Sequence, residues 1–286
     1  MKRLPPGRES ELDMKIKQQE KQPVEYVSYS GVKDWEFCPN YYKITRIDKL
    51  YKFEGNIHTA FGSAMHWALE HMILELSQKD RATLIFETKK MFNTAYSREL
   101  RQLRVCPAKE DSDQMRAQAP SLIENVLPAL DNHFGKDWEL VSTEEQIDIL
   151  IDEYELADYD FRGIVDLVIR TKDGKYHVID WKTCSWGWNY KKKSDPMITY
   201  QLTYYKHFLA KKHNIDLKNI ETYFILLKRT AKKDNIEVMR VTSGEQKTSN
   251  ALRLLNTALH NIDHGNFIKK KTSCKNCNVW KTLCEG

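Results

Sequence analysis

The chain has 286 residues, with 45 lysines and arginines against 40 aspartates and glutamates, a formal net charge of +5. That length holds one large domain or a core with helical additions, and the near-balance of charge permits nucleic-acid binding without requiring it. No apolar run is long enough to cross a bilayer and the N-terminus carries no apolar leader. The expectation is a cytoplasmic protein with no membrane partner, whose six cysteines are not a disulfide framework.

Residues 1–23 read as a flexible arm rich in Pro, Lys, Glu and Gln. Residues 24–286 read as a single domain with a helical part (24–135), a sheet core (136–245) and a closing segment (246–286). Ser30 is the expected N-cap of a short amphipathic helix through Val32, Trp35 and Phe37, ended by Cys38-Pro39. A longer helix is expected over Ala60–Leu74, with Met65, Leu69, Met72 and Leu76 as its buried stripe and His66 beside that stripe, pointing inward. A lone inward histidine is more often a satisfied core residue than a ligand. Glu70, one turn on, either orients His66 or is an exposed helix charge.

Arg81–His133 reads as helical, with breaks near Pro107, Pro120 and Pro128. Its Arg98, Arg101, Arg104 and Arg116 fit a phosphate path or solvated helix faces equally, and Cys106 reads as structural. From Trp138 the period shortens to that of strands. The first, Glu139–Leu150, carries Glu144 and Glu145, neighbours that face opposite ways.

A hairpin follows, Phe161–Arg170 and Lys175–Trp181 around Asp173-Gly174. A three-residue loop with Gly174 in the left-handed position pairs Thr171 with Lys175. Counting back along that register sets Asp166 opposite Asp180 on one face, with Cβ atoms about 5 Å apart. Lys182 shares the face. Two carboxylates so close repel unless a cation lies between them, and a hard divalent ion with oxygen ligands suits. The plain alternative is a solvated ribbon face on which Lys182 pairs with Asp180.

Trp186, Trp188 and Tyr190 then precede Lys191, Lys192 and Lys193, a composition for base stacking with phosphate contact or for an ordinary surface loop. Pro196 opens a helix that sets Gln201 and Tyr205 on one face. Strands Glu221–Leu227 and Ile236–Val241 and a helix Ala251–Ile262 are expected next. The chain ends on Cys274, Cys277 and Cys284, three thiolates short of a fourth ligand, which Cys38 supplies if the two ends meet.

Gly163-Ile-Val-Asp166 followed by Asp180-Trp-Lys182 resembles the active-site signature of PD-(D/E)XK nucleases, in particular their RecB-like branch. Gly62…His66 and Gln201…Tyr205 are similar to two further motifs of that branch, in the same order. Cys38-Pro39 with the C-terminal triplet resembles the cysteine pattern of the AddB nuclease domain and of CRISPR-associated exonucleases. The strand before Asp180 has no proline at the family's first named position.

The resemblance implies an α/β fold, a central mixed sheet flanked by helices, and a Mg²⁺- or Mn²⁺-dependent deoxyribonuclease, an exonuclease on single strands or DNA ends. It implies a metal held by His66, Asp166, Asp180 and the carbonyl of Trp181, with Lys182, Gln201 and Tyr205 completing the catalytic set. One of Glu144 and Glu145 would stand near that metal. Cys38, Cys274, Cys277 and Cys284 would hold a [4Fe–4S] cluster, with zinc as the chemical rival. Implied partners are DNA and proteins of recombination, repair, CRISPR or phage replication. The rival from another class is a non-catalytic iron–sulfur DNA-binding or assembly subunit that keeps the fold.

Overall fold

Ser28, rather than Ser30, caps the first helix. Both serines satisfy the composition rule, but Ser28 is the last extended residue (φ −117°, ψ 164°), and its hydroxyl accepts from the Gly31 N–H at 3.2 Å. The computed structural model describes residues 25–155 and 158–284, so the expected arm of residues 1–23 lies outside the described residues. Strand β1 (Glu25–Ser28) passes straight into helix α1 (Tyr29–Phe37), which Cys38 ends, and α2 (Pro39–Tyr42) follows.

Helix α3 (Ile57–Leu74) begins earlier than expected because Asn56 and Thr59 cap it reciprocally, each side chain meeting the other's backbone N–H. Its Phe61, Met65, Leu69 and Met72 are almost fully buried. Each such burial contributes about 1.5–3 kcal/mol. Helices α4 (Arg81–Gln102), α5 (Lys109–Arg116) and α6 (Ala119–Phe134) complete this layer. Pro107 lies in the break before α5, and Pro120 opens α6. Pro128 sits inside α6 instead of ending it. Its ring is exposed, and Val126, Leu127 and Leu130 around it are locked into the core, which offsets the lost backbone bond. Cys106 is exposed in the break, not a packed structural residue.

The strands are β2 (Glu139–Leu150), β3 (Tyr159–Arg170), β4 (Tyr176–Cys184), β5 (Ile220–Lys228) and β6 (Ile236–Val241). Between β4 and β5 come the short helix α7 (Tyr190–Ser194) and the long α8 (Pro196–His213); α9 (Glu245–Asp263) follows β6. The last helix starts six residues ahead of its expected position, at the Gly244 cap. The sheet is mixed, in the order β1-β3-β4-β5-β6, with β2 on the opposite edge of β3.

The β3–β4 turn has the expected form. Thr171 N–H donates to the Lys175 carbonyl at 3.0 Å, Gly174 N–H donates to the Thr171 carbonyl at 2.9 Å, and Gly174 has φ +82°. The ladder runs from Arg170–Tyr176 to Leu167–Ile179, so Asp166 and Asp180 are the next opposed pair. Beyond it the sheet forks. β4 leaves β3, and β1 takes the vacated edge from Arg162 back to Tyr159. Gly163–Asp166 are therefore paired by neither strand on that edge.

Helices α3, α4 and α6 cover one face through Leu167, Ile169, Ile179 and Trp181; α1, α8 and α9 cover the other through Phe161, Val165, Val178 and Phe224. A small third cluster, Ile44, Val279 and Cys284, joins the two ends of the described chain. Among the described residues, no helix is long and apolar enough to cross a membrane.

Candidate active site

The fork places four charged or ionisable groups within reach of one another. Asp166 Oδ2 accepts from the Trp181 N–H at 2.7 Å, a bond that replaces the next rung of the ladder. His66, from α3, brings Nδ1 to 3.5 Å from the same oxygen. Asp180 is 3% exposed, and its Oδ1 accepts from Gln201 Nε2 at 2.6 Å. Gln201 also donates to the Tyr205 hydroxyl at 3.3 Å, so the two α8 residues form one unit behind Asp180. Lys182 Nζ lies 2.5 Å from Asp180 Oδ2, but off the line of a hydrogen bond, which leaves that buried oxygen without one.

The electrostatics follow from this geometry. Burial pushes the Asp180 carboxyl up to about 6; Lys182 opposes that rise, while Asp166 adds to it. Burial pulls His66 down, and the carboxylates of Asp166 and Asp180 more than reverse it, leaving the imidazole raised. Tyr205 is raised by burial and then by Asp180, so its hydroxyl stays neutral as it accepts from Gln201.

The competition between Glu144 and Glu145 is resolved by position. Glu144 lies opposite Asp166 and adopts φ +47°, a left-handed conformation that costs a non-glycine residue about 1–2 kcal/mol. Burial raises its carboxyl, and Asp166 and Glu70 raise it further. Glu145 faces away, paired to Lys212 and, at 3.0 Å, to His213. Glu70, Glu144, His66 and Asp166 wall one cavity of about 510 Å³. A second, of about 870 Å³, holds Lys182, Gln201 and Tyr205. A third cavity, of about 1230 Å³ between α8 and α9, contains none of the expected site residues.

A family model for the PD-(D/E)XK nuclease superfamily matches residues 26–285. The chain belongs to that superfamily. The mixed sheet flanked by helices is the fold expected of it. Among solved structures, the chain is similar to one from Eubacterium rectale named "Putative exonuclease", at 13% identity and TM-score 0.53, covering 91% of this chain and 88% of that one. A looser likeness, at 13% identity and TM-score 0.40, joins it to SSO0001, covering 96% of this chain and 92% of the other. No curated protein matches the chain.

Superfamily members generally use divalent metals such as Mg²⁺. The donors here are of the right kind, hard carboxylate oxygens with one imidazole, and Asp180 Oδ2 is a buried acceptor lacking a hydrogen bond. Yet among the described residues no three His, Cys, Asp or Glu side chains are gathered to hold a metal ion. Asp180 turns to Gln201 and Lys182, while His66 and Asp166 turn to each other.

The four cysteines come to one end of the fold, although they too form no gathered metal-binding group among the described residues. Cys38, Cys274, Cys277 and Cys284 line one small cavity beneath α1. Cys38 Sγ accepts from the Lys270 N–H and Cys284 Sγ from Asn40 Nδ2, each at 3.3 Å. Partial burial raises the Cys274 thiol, and Cys284, Cys38 and Cys277 raise it further.

Of the aromatic–basic loop, only Trp188 and Lys192 line the larger cavity. Trp186 and Tyr190 project into solvent, 76% and 85% exposed, and Lys193 pairs with Glu237 at 2.5 Å. Arg98 lies against Trp67, Arg116 against Tyr96, and Arg104 pairs with Glu54, so these three are engaged within the protein. Sequence reasoning missed Lys33 and Arg162, both on the larger cavity. Nothing in their local spacing marks them, because only the fork brings α1 beside β3.

Proposed function

We propose that the chain is a Mg²⁺- or Mn²⁺-dependent DNA nuclease of the RecB-like branch, acting as an exonuclease on single strands or DNA ends. The observation that carries it is the opposed pair Asp166 and Asp180 at the fork, with His66 on the first and Lys182 on the second. The likeness to the Eubacterium rectale protein named as an exonuclease supports the exonuclease mode. The whole of residues 24–286 is proposed as one nuclease domain.

His66, Asp166, Asp180 and the Trp181 carbonyl would hold the metal, with Glu144 close by. When bound, a divalent ion lowers the pKa of an attacking water and polarises the scissile phosphate. Lys182 places a positive charge where the phosphate gains negative charge. Gln201 fixes the Asp180 carboxylate through Oδ1, leaving Oδ2 toward the lysine, and the Tyr205 hydroxyl fixes Gln201 in turn. Those two residues are positioning groups.

Cys38, Cys274, Cys277 and Cys284 are proposed to hold a [4Fe–4S] cluster in a structural role; four thiolates suit zinc as well. Iron, sulfide and zinc analysis of anaerobically purified protein decides between them. The exonuclease reading is tested with matched linear and circular single strands in Mn²⁺ or Mg²⁺. Degradation of the linear strand alone is expected, and cutting of the circle shows an endonuclease.

A further inference from the structure

The two sides of the fork differ in charge. The α3 side, walled by Glu70, Glu144 and Asp166, is acidic. The α1 side is basic: Lys33, Arg162, Lys182 and Lys192 line it against a single carboxylate, Asp148, which Arg162 Nε already holds at 2.9 Å. Ile164, 49% exposed, lines both cavities and divides them. A polyanion is repelled by the first side and drawn to the second. Among the described residues, Lys33 and Lys192 take part in no ion pair, whereas Arg162 and Lys182 do. Lys33 comes from α1 and Lys192 from α7, where its ammonium sits 4.6 Å from the centre of the Trp188 ring. Both line the same groove of about 870 Å³ as Lys182 of the fork.

We propose that this groove is the channel for a single DNA strand on its way to the carboxylates. Lys33 and the exposed Ser30 of α1 hold phosphates along one wall, and Lys192 holds one along the other. The strand then crosses Ile164 to reach Asp166. The inference rests on the nuclease reading for its substrate, but it concerns binding and is tested apart from cleavage.

The test is fluorescence anisotropy of a labelled 20-nucleotide oligo(dT) on the full chain, in EDTA, across a series of salt concentrations. Each phosphate contact adds about 0.7 to the slope of log affinity against log salt for a single strand. Lys33→Ala and Lys192→Ala should each flatten the slope by about that amount and weaken binding about fivefold at low salt, equivalent to about 1 kcal/mol. Lys33→Arg should keep the wild-type slope, as should Lys232→Ala on the β5–β6 turn. Unchanged slopes in both alanine variants, or a wild type that binds no oligonucleotide, overturn the channel. So does an equal loss by both variants on a blunt duplex, which overturns the single-strand assignment. Adding Mn²⁺ to the same samples separates the two readings. Cleavage with unaltered variant slopes defeats the channel alone; flattened slopes without cleavage defeat the nuclease reading alone.

Discussion

Replacing Asp180 by asparagine should make the protein more stable while removing its chemistry. Asp180 is buried, and its carboxyl is pushed from 3.8 to about 6. At 1.36 kcal/mol per pH unit, ionising it inside the fold costs about 3 kcal/mol relative to the unfolded chain. Asparagine keeps an oxygen for Gln201 but turns an amide donor toward Lys182, which returns about 1 kcal/mol and leaves a net gain of about 2 kcal/mol. The sign fixes the pH window. A carboxyl raised by folding imposes no cost below 3.8, where both states are protonated, and its full cost above about 6. The gap between Asp180→Asn and wild type should therefore open between those values and stay constant above them. Urea unfolding without divalent metal at pH 4, 5, 7 and 8 measures it. Mg²⁺ should raise the wild type and leave the variant unmoved, because an ion satisfies the buried charge. A variant less stable than wild type at pH 7, or a gap independent of pH, would refute the reasoning.

Further outcomes follow from other parts of the site. Glu144→Asn should gain up to about 1 kcal/mol, since asparagine tolerates the left-handed conformation, yet lose cleavage; unfolding and nuclease assays on one preparation check both. Glu145→Gln breaks the surface pairs with Lys212 and His213, away from the fork, and should shift stability by about 1 kcal/mol or less, with cleavage retained. Gly163→Ala would place a Cβ 2.8 Å from a ring carbon of Tyr205, so the urea midpoint should fall by the equivalent of about 1–3 kcal/mol. Cys277→Ser should lower the iron or zinc content and the melting temperature together; unchanged metal content would remove Cys277 from the ligand set.

The hairpin was the most legible part of the chain. Its register follows from Gly174, because only a three-residue loop with that glycine in the left-handed region sets Asp166 against Asp180. The long strands and α3 were equally open to reading, through the β-branched and apolar residues crowded around Asp166 in Val165–Ile169 and the helical apolar period of Met65–Met72. Boundaries were less so: Ser28 and Ser30 are equivalent by composition, and only the extended backbone at Ser28 picks the cap. Pro128 misled because local propensity cannot see Leu127 and Leu130, whose burial keeps α6 running through it. At the site, Glu144 could not be chosen over Glu145 from sequence, since strand alternation places them on opposite faces without saying which face carries the fork. Lys33 and Arg162 were invisible for a different reason. Their role depends on β1 replacing β4 beside β3, a long-range pairing with no local signal.

The central claim is that the fork carries metal-dependent phosphodiester cleavage. It is tested most directly by incubating end-labelled linear single-stranded DNA with wild type and Asp180→Ala side by side, with Mn²⁺, with Mg²⁺ and with EDTA. Wild type should degrade the strand in either metal and not in EDTA, and the variant should not degrade it at all while remaining folded and still binding DNA. Equal cleavage by both proteins, or no cleavage by a folded wild type with its cysteine site filled, would contradict it.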